Sequence, residues 1–206
     1  MSARLSQLGA NVGMRLLCSA TLVASAAIWS GDLGAQGSSA GHAGAAPVTV
    51  AVLDFAFYGK HANSIEPGDT AMGDVATAAI RQNLALFPQI VVTDSNAVAA
   101  AEKAGVAADS AEGHPCNTIV ACGRVVGRAV GARYVVMGTI SKTSNLIWIF
   151  SGQLVDVRQH DLVMDDEYEL KGNSRDMVGQ GSRVFIRRVA KKLGAAPGVA
   201  TTSATQ

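Results

Sequence analysis

Apolar and polar positions change period along the chain, and each change marks an element. Residues 48–55 (VTVAVLDF) form an apolar, β-branched run ending on an acid and a Phe, the pattern of a buried strand. Residues 58–69 contain Gly59, Asn63, Pro67 and Gly68 and read as a loop. Over 70–86, Met72, Ala76, Ala79, Ile80 and Leu84 recur at helical spacing while Arg81 and Gln82 fall outside, and Phe87-Pro88 ends the helix. Residues 90–92 (IVV) make a second short strand, and Asp94 or Ser95 can cap an Ala-rich helix running through Gly105.

A polar loop over 106–117 leads to a helix that Asn117 or Thr118 can cap and that ends with Val130 before Gly131, the residue type that turns left-handed. Gly123, Gly127 and Gly131 recur every fourth residue. With Arg124 and Arg128 among them a lipid environment is excluded, so the spacing predicts close packing on a sheet. Three strands follow, over 133–141, 146–157 and 162–171, joined by polar turns of hairpin length. The middle one sets Leu146, Trp148, Phe150 and Leu154 on one face and Ile147, Ile149, Ser151 and Gln153 on the other. Its first half is therefore buried on both sides or partly open to a partner. A last helix over 174–193 aligns Val178, Ser182, Phe185, Val189 and Leu193.

The order β-α-β-α-α-β-β-β-α predicts one α/β domain over 48–194. It is an α+β sandwich with a mixed sheet of about five strands, a C-terminal antiparallel meander and helices packed on the sheet.

Outside that domain the pattern fades. Arg4 and Arg15 precede an uncharged apolar run over 16–28, too short for a comfortable bilayer span and suited to the core of a secretory signal. Cleavage after Ala35 is expected, with a retained signal anchor as the alternative; after cleavage no stable membrane span remains. Residues 36–47 are a small-residue linker, and 195–206 a disordered tail of similar composition. The expected location is the periplasm.

Composition then adjusts the picture. The 206 residues carry 17 Lys and Arg against 16 Asp and Glu, so no excess of positive charge points to nucleic acid. Loss of residues 1–35 removes Arg4, Arg15 and Asp32 and leaves 15 of each sign. The charged fraction of 16% is low because the two ends are poor in charge, not because the domain is membrane-buried. The charge that exists is polarised. Six acids lie within 156–169, and Arg183, Arg187 and Lys191 align on the last helix. These form either a solvated face beside an acidic hairpin of the same molecule or a docking stripe for an acidic partner.

Of three cysteines, Cys18 lies in the signal, leaving Cys116 and Cys122 as an even pair in an oxidising compartment. Within one helix the two would stand about 9 Å apart along the axis, too far to bond. A disulfide therefore requires Cys116 to sit in the loop and fold back onto the helix holding Cys122. A redox or metal pair with His114 is the competing reading, opposed by the C-x5-C spacing.

The opening VAVLDF, the helix leading to FPQIVVTD, the cysteine pair before GARYVVMGTISKTSNLI, and the closing DDEYELKGNSRDM resemble an exported proteobacterial family, domain of unknown function 3280 (DUF3280). More distantly the order is similar to the N-terminal domain of TolB, the curli-secretion lipoprotein CsgG and the penicillin-binding-protein activator LpoB. The resemblance implies an envelope domain that acts by binding other proteins. This chain lacks the lipid-attachment cysteine of CsgG and LpoB and the propeller of TolB, so their individual roles do not transfer.

No dinucleotide-binding, P-loop, nucleophile-elbow, zincin or haem-attachment motif occurs, and His42, His61, His114 and His160 are scattered. No catalytic group, metal or cofactor is expected. The leading reading is a non-enzymatic exported domain whose partner is another periplasmic or envelope protein. Candidate partner-binding residues are Trp148, Phe150, Arg183, Arg187 and Lys191. The competing readings are a ligand-binding protein or enzyme using Asp54, Asp69 and the loop between them, and a thiol-redox protein.

Overall fold

In the computed structural model, which describes residues 46–59, 62, 64–108, 116, 119–172 and 175–198, strand β1 (Val48–Val52) lies between two parallel neighbours. These are β3 (Ile90–Val92) and β4 (Tyr134–Lys142). Antiparallel hairpins then carry the sheet outward through β5 (Ile147–Asp156) to β6 (Leu162–Lys171), giving the order β3-β1-β4-β5-β6. The short strand β2 (Ala56–Tyr58) also pairs with β4, making six strands where about five were expected. The described residues belong to one compact unit spanning His42–Gln206. The predicted signal over 1–35 and most of the linker lie outside them.

The extra strand is a consequence of a bulge. Val52 faces Val136 and Ala56 faces Thr139, so four steps on one side match three on the other. Phe55 leaves the ladder and its backbone N–H donates instead to Thr77 Oγ1 at 2.8 Å. Helix α1 (Met72–Leu84) can come that close because position 73 is glycine; a Cβ there would run into the Phe55 carbonyl oxygen. A run read as one strand from 48 to 55 is thus broken by a partner on a helix more than twenty residues away.

Helices cover both faces. α1 and α4 (Arg175–Lys192) pack on the side of Val50, Val52, Val136, Ile140, Trp148, Phe150 and Leu154. α2 (Ser95–Ala108) and α3 (Val120–Ala129) cover Ala51, Leu53, Val135, Met137 and Val155. The caps follow the predicted chemistry where they are described: Asp94 Oδ1 accepts the Ala97 N–H at 2.9 Å, and Gly131 turns left-handed at φ 67°. Asn117 and Thr118 lie outside the described residues; the residue before α3 is Ile119.

Trp148 and Phe150 are fully buried, which corrects their assignment as partner-binding residues. The Phe150 ring centroid stands 5.5 Å from those of Phe55 and Phe185 and 5.9 Å from that of Tyr168. Room for these rings comes from the cross-strand pair Gly138 and Gly152, where added Cβ atoms would strike Phe55 and Phe185 respectively. A strand's period identifies two faces but not which one a helix covers.

The segment after α4 differs from the expected coil. Gly194 turns left-handed, the Ala195 N–H donates to the Ala190 carbonyl at 2.8 Å, and the Gly198 N–H donates to the Leu86 carbonyl at 3.1 Å. Residues 195–198 therefore strap α4 to the end of α1; residues 199–206 lie outside the described set.

Candidate functional site

Because α1 ends at Leu84 and α4 continues past it, their C-terminal ends and the strap enclose a groove of about 620 Å³. Its apolar wall is built from Leu86, Phe87, Ile186, Ala190 and Pro197, with Leu86 62% exposed. Arg183, Arg187 and Lys191 line the same groove, all three exposed. Spacing by four residues on a helix puts them about 6 Å apart. None of the three enters an ion pair among the described residues. The expected neutralisation of this helix by the acidic hairpin is carried by a different residue: Arg188 Nη2 stands 2.9 Å from Asp166 Oδ1. Asp156 is likewise taken by Arg133 at 2.6 Å.

A second open surface lies on the opposite side of the sheet. α2 and α3 end their cover near Met137 and Val155, and beyond them Ile147, Ile149, Ser151 and Gln153 of β5 are partly exposed. Beside them on the edge strand β6, Asp165, Glu167 and Glu169 are exposed. The open face of β5 is thus the one opposite Trp148 and Phe150. Acidic side chains along an edge strand also discourage pairing with a foreign strand.

Asp54 and Asp69 do not form one site. Asp54, on the bulge, is 59% exposed and paired with Arg81 Nη2 at 3.1 Å, which also donates to the Val52 carbonyl at 3.0 Å. Glu102 of α2 joins this group. Burial, then the Asp54 carboxylate beside it, push the Glu102 carboxyl above its ordinary range, while Arg81 and the Asp54 backbone N–H pull it down. Asp69 instead sits at the start of a 3-10 turn (Asp69–Ala71) and pairs with Lys142 at 2.6 Å, at the far end of β4. Leu53 bonds to Val136, and Lys142 lies six residues further on, about 20 Å along the strand.

The Asp69–Lys142 pair was not foreseen. The two side chains are 8% and 2% exposed, Asp69 Oδ2 also accepts the Glu66 N–H at 2.7 Å, and the ammonium stands 5.5 Å from the Trp148 ring centroid. One signal existed in the sequence: Lys142 continues the inward phase of Ile140, so a lysine placed there needs a buried anion.

Cys116 and Cys122 are joined in a disulfide, with Cα atoms 5.1 Å apart. Both are buried, and Cys116 precedes the helix that holds Cys122, the geometry the bond requires. Among the described residues there is no cluster of three or more His, Cys, Asp or Glu arranged for a metal, and no helix long and apolar enough to cross a membrane.

A family model named DUF3280, described as "Protein of unknown function (DUF2380)", matches residues 48–190. The chain belongs to the DUF3280 family. The match covers every strand and helix described above except the last two residues of α4. No curated protein matches this DUF3280 chain. Among solved structures it is similar to the C-terminal domain of LpoB from Salmonella enterica, with 15% identity, a TM-score of 0.44, and coverage of 61% of this chain and 84% of that one. It is also similar to TolB from Acinetobacter baumannii, at 16% identity and a TM-score of 0.45, covering 75% of this chain and 30% of TolB. For the lipoprotein GNA1162 from Neisseria meningitidis the values are 13% and 0.41, with 71% and 99% covered.

Proposed function

We propose that this DUF3280 domain is an exported, non-enzymatic accessory protein of the cell envelope that works by binding another protein. The docking surface is the groove between α1, α4 and the C-terminal strap. The observation that carries the reading is an open apolar groove beside three aligned cations that have no ion-pair partner among the described residues. Exposed apolar area framed by charge is the usual composition of a binding surface. Export rests on the apolar run over 16–28 and on the cysteine pair closed as a disulfide. A structural role for Cys116 and Cys122, against a redox one, is supported by the burial of both sulfurs. Asp54 and Asp69, each held by its own cation and far apart, speak against a shared acid site.

The test is photo-crosslinking in the expressing cell from position 86, with exposed position 74 on α1 as control. Products formed from 86 alone, and lost in Arg183→Gln/Arg187→Gln/Lys191→Gln, are expected. Equal crosslinking from both positions, or products unaffected by the triple substitution, would overturn the reading.

A further inference from the structure

We propose that the groove's occupant is a second copy of this chain, which presents the acidic face of its β5–β6 ribbon to the α4 cations of its neighbour. The inference rests on the docking reading above and names the partner. Arg183, Arg187 and Lys191 recur every fourth residue of a helix, about 6 Å apart and about 12 Å from first to last. Asp165, Glu167 and Glu169 recur every second residue of a strand, about 6.8 Å apart and about 14 Å overall. In rise along their axes, the two rows of three charges, opposite in sign, therefore differ by about 2 Å over their whole length.

Of the two rows, only Glu169 enters an ion pair within its own molecule among the described residues. The three cations have no ion pair among the described residues. Asp165 and Glu167 take neutral donors, Gln153 Nε2 at 3.3 Å and Ser151 Oγ at 3.4 Å. Glu169 shares only Lys171, at 3.7 Å and with both side chains open to solvent. Apolar groups flank both rows: Leu86 beside the cations, Ile147 and Ile149 beside the acids. The segment 199–206 (VATTSATQ) has no acidic side chain and does not match the groove's charge.

The two surfaces lie on opposite layers, the groove on the α1–α4 side and the acids on the face that α2 and α3 partly cover. A contact between them is head-to-tail: every copy uses one surface toward each neighbour. Association of this kind continues into a ring or a filament and does not stop at two copies.

Sedimentation of the purified protein tests it. Species larger than a dimer are expected at low salt and should dissociate near 1 M salt, where charges are screened beyond about 3 Å. R183E/R187E/K191E and D165K/E167K/E169K should each be monomeric alone, with self-association weakened more than about a hundredfold by like-charge contact. Mixed in equal amounts they restore the complementary pairing in both directions and should co-assemble. A wild-type protein that stays monomeric at low salt, or a mixture that does not assemble, overturns the inference. Crosslinks from position 86 separate its failure from that of the docking reading. A product mapping to β5–β6 of another copy supports both. Products formed only with a different protein overturn the second copy and leave the docking surface in place. No product from 86 overturns both.

Discussion

Removing the ammonium of Lys142 tests how the polar end of the sheet is held. In Lys142→Met the side-chain volume is nearly kept, but among the described residues Asp69 is left with only the Glu66 N–H as a donor. The two groups are 2% and 8% exposed, so water does not screen the pair in the native state. Breaking such a pair from one side costs about 3–5 kcal/mol, because a buried charge is left without compensation. For a domain of this size that corresponds to roughly 6–20 °C in Tm. Replacing both partners, Lys142→Met with Asp69→Leu, removes the stranded charge along with the attraction. It should fall within about 2 kcal/mol of wild type, the residual cost being the lost loop anchor at Glu66. Urea unfolding at pH 7 of the four proteins of the cycle measures the coupling, expected above about 1.5 kcal/mol. A single substitution costing under about 1 kcal/mol, or two costs that simply add, would refute the idea that this ion pair is buried and interdependent.

Other substitutions probe the remaining joints. Cys116→Ser/Cys122→Ser opens a loop of sequence separation 6, and chain-entropy closure predicts a loss of about 2.4 kcal/mol in chemical denaturation, which reduced wild type should reproduce. Gly127→Ala should destabilise by about 1–3 kcal/mol, since its Cβ would meet Val135 and Val157 at 2.6 Å. Gly179→Ala, on an open face of α4, should stabilise by up to about 1 kcal/mol; thermal melts with the same sign for both would contradict the packing described. Burial, then the Asp166 carboxylate bonded to its hydroxyl at 2.5 Å, raise the Tyr168 pKa to about 12. The stability this group contributes is complete below pH 10 and lost as pH rises toward 12, and Asp166→Asn should move its tyrosinate absorbance to lower pH.

Periodicity read the fold well wherever local pattern and tertiary contact agree. Strand β6 has the bounds its pattern implies, and the Gly123 and Gly127 spacing does mark close approach, to Met137 and to Val135 with Val157. Reading failed where a distant group decided the outcome. The bulge at Phe55 depends on Thr77 and Gly73, and nothing in LDFAFY announces either. Lys142 and Asp69 meet across 73 residues of chain. For the proposed binding surface, helical spacing found Arg183, Arg187 and Lys191, but not Leu86 or Pro197. Exposure of Leu86 follows from where α1 stops, and the return of residues 195–198 is fixed by the Gly198 N–H bond to its carbonyl.

That bond also governs how the molecule is to be handled. Pro197 forms part of the groove wall and Gly198 is tied to Leu86 just past α1, so nine residues, 198–206, separate the wall from any affinity handle or fluorescent protein appended after Gln206. A C-terminal fusion would compete for the surface it was meant to capture. The turn at residues 158–161, between β5 and β6, contributes no residue to the groove wall and offers an alternative insertion point.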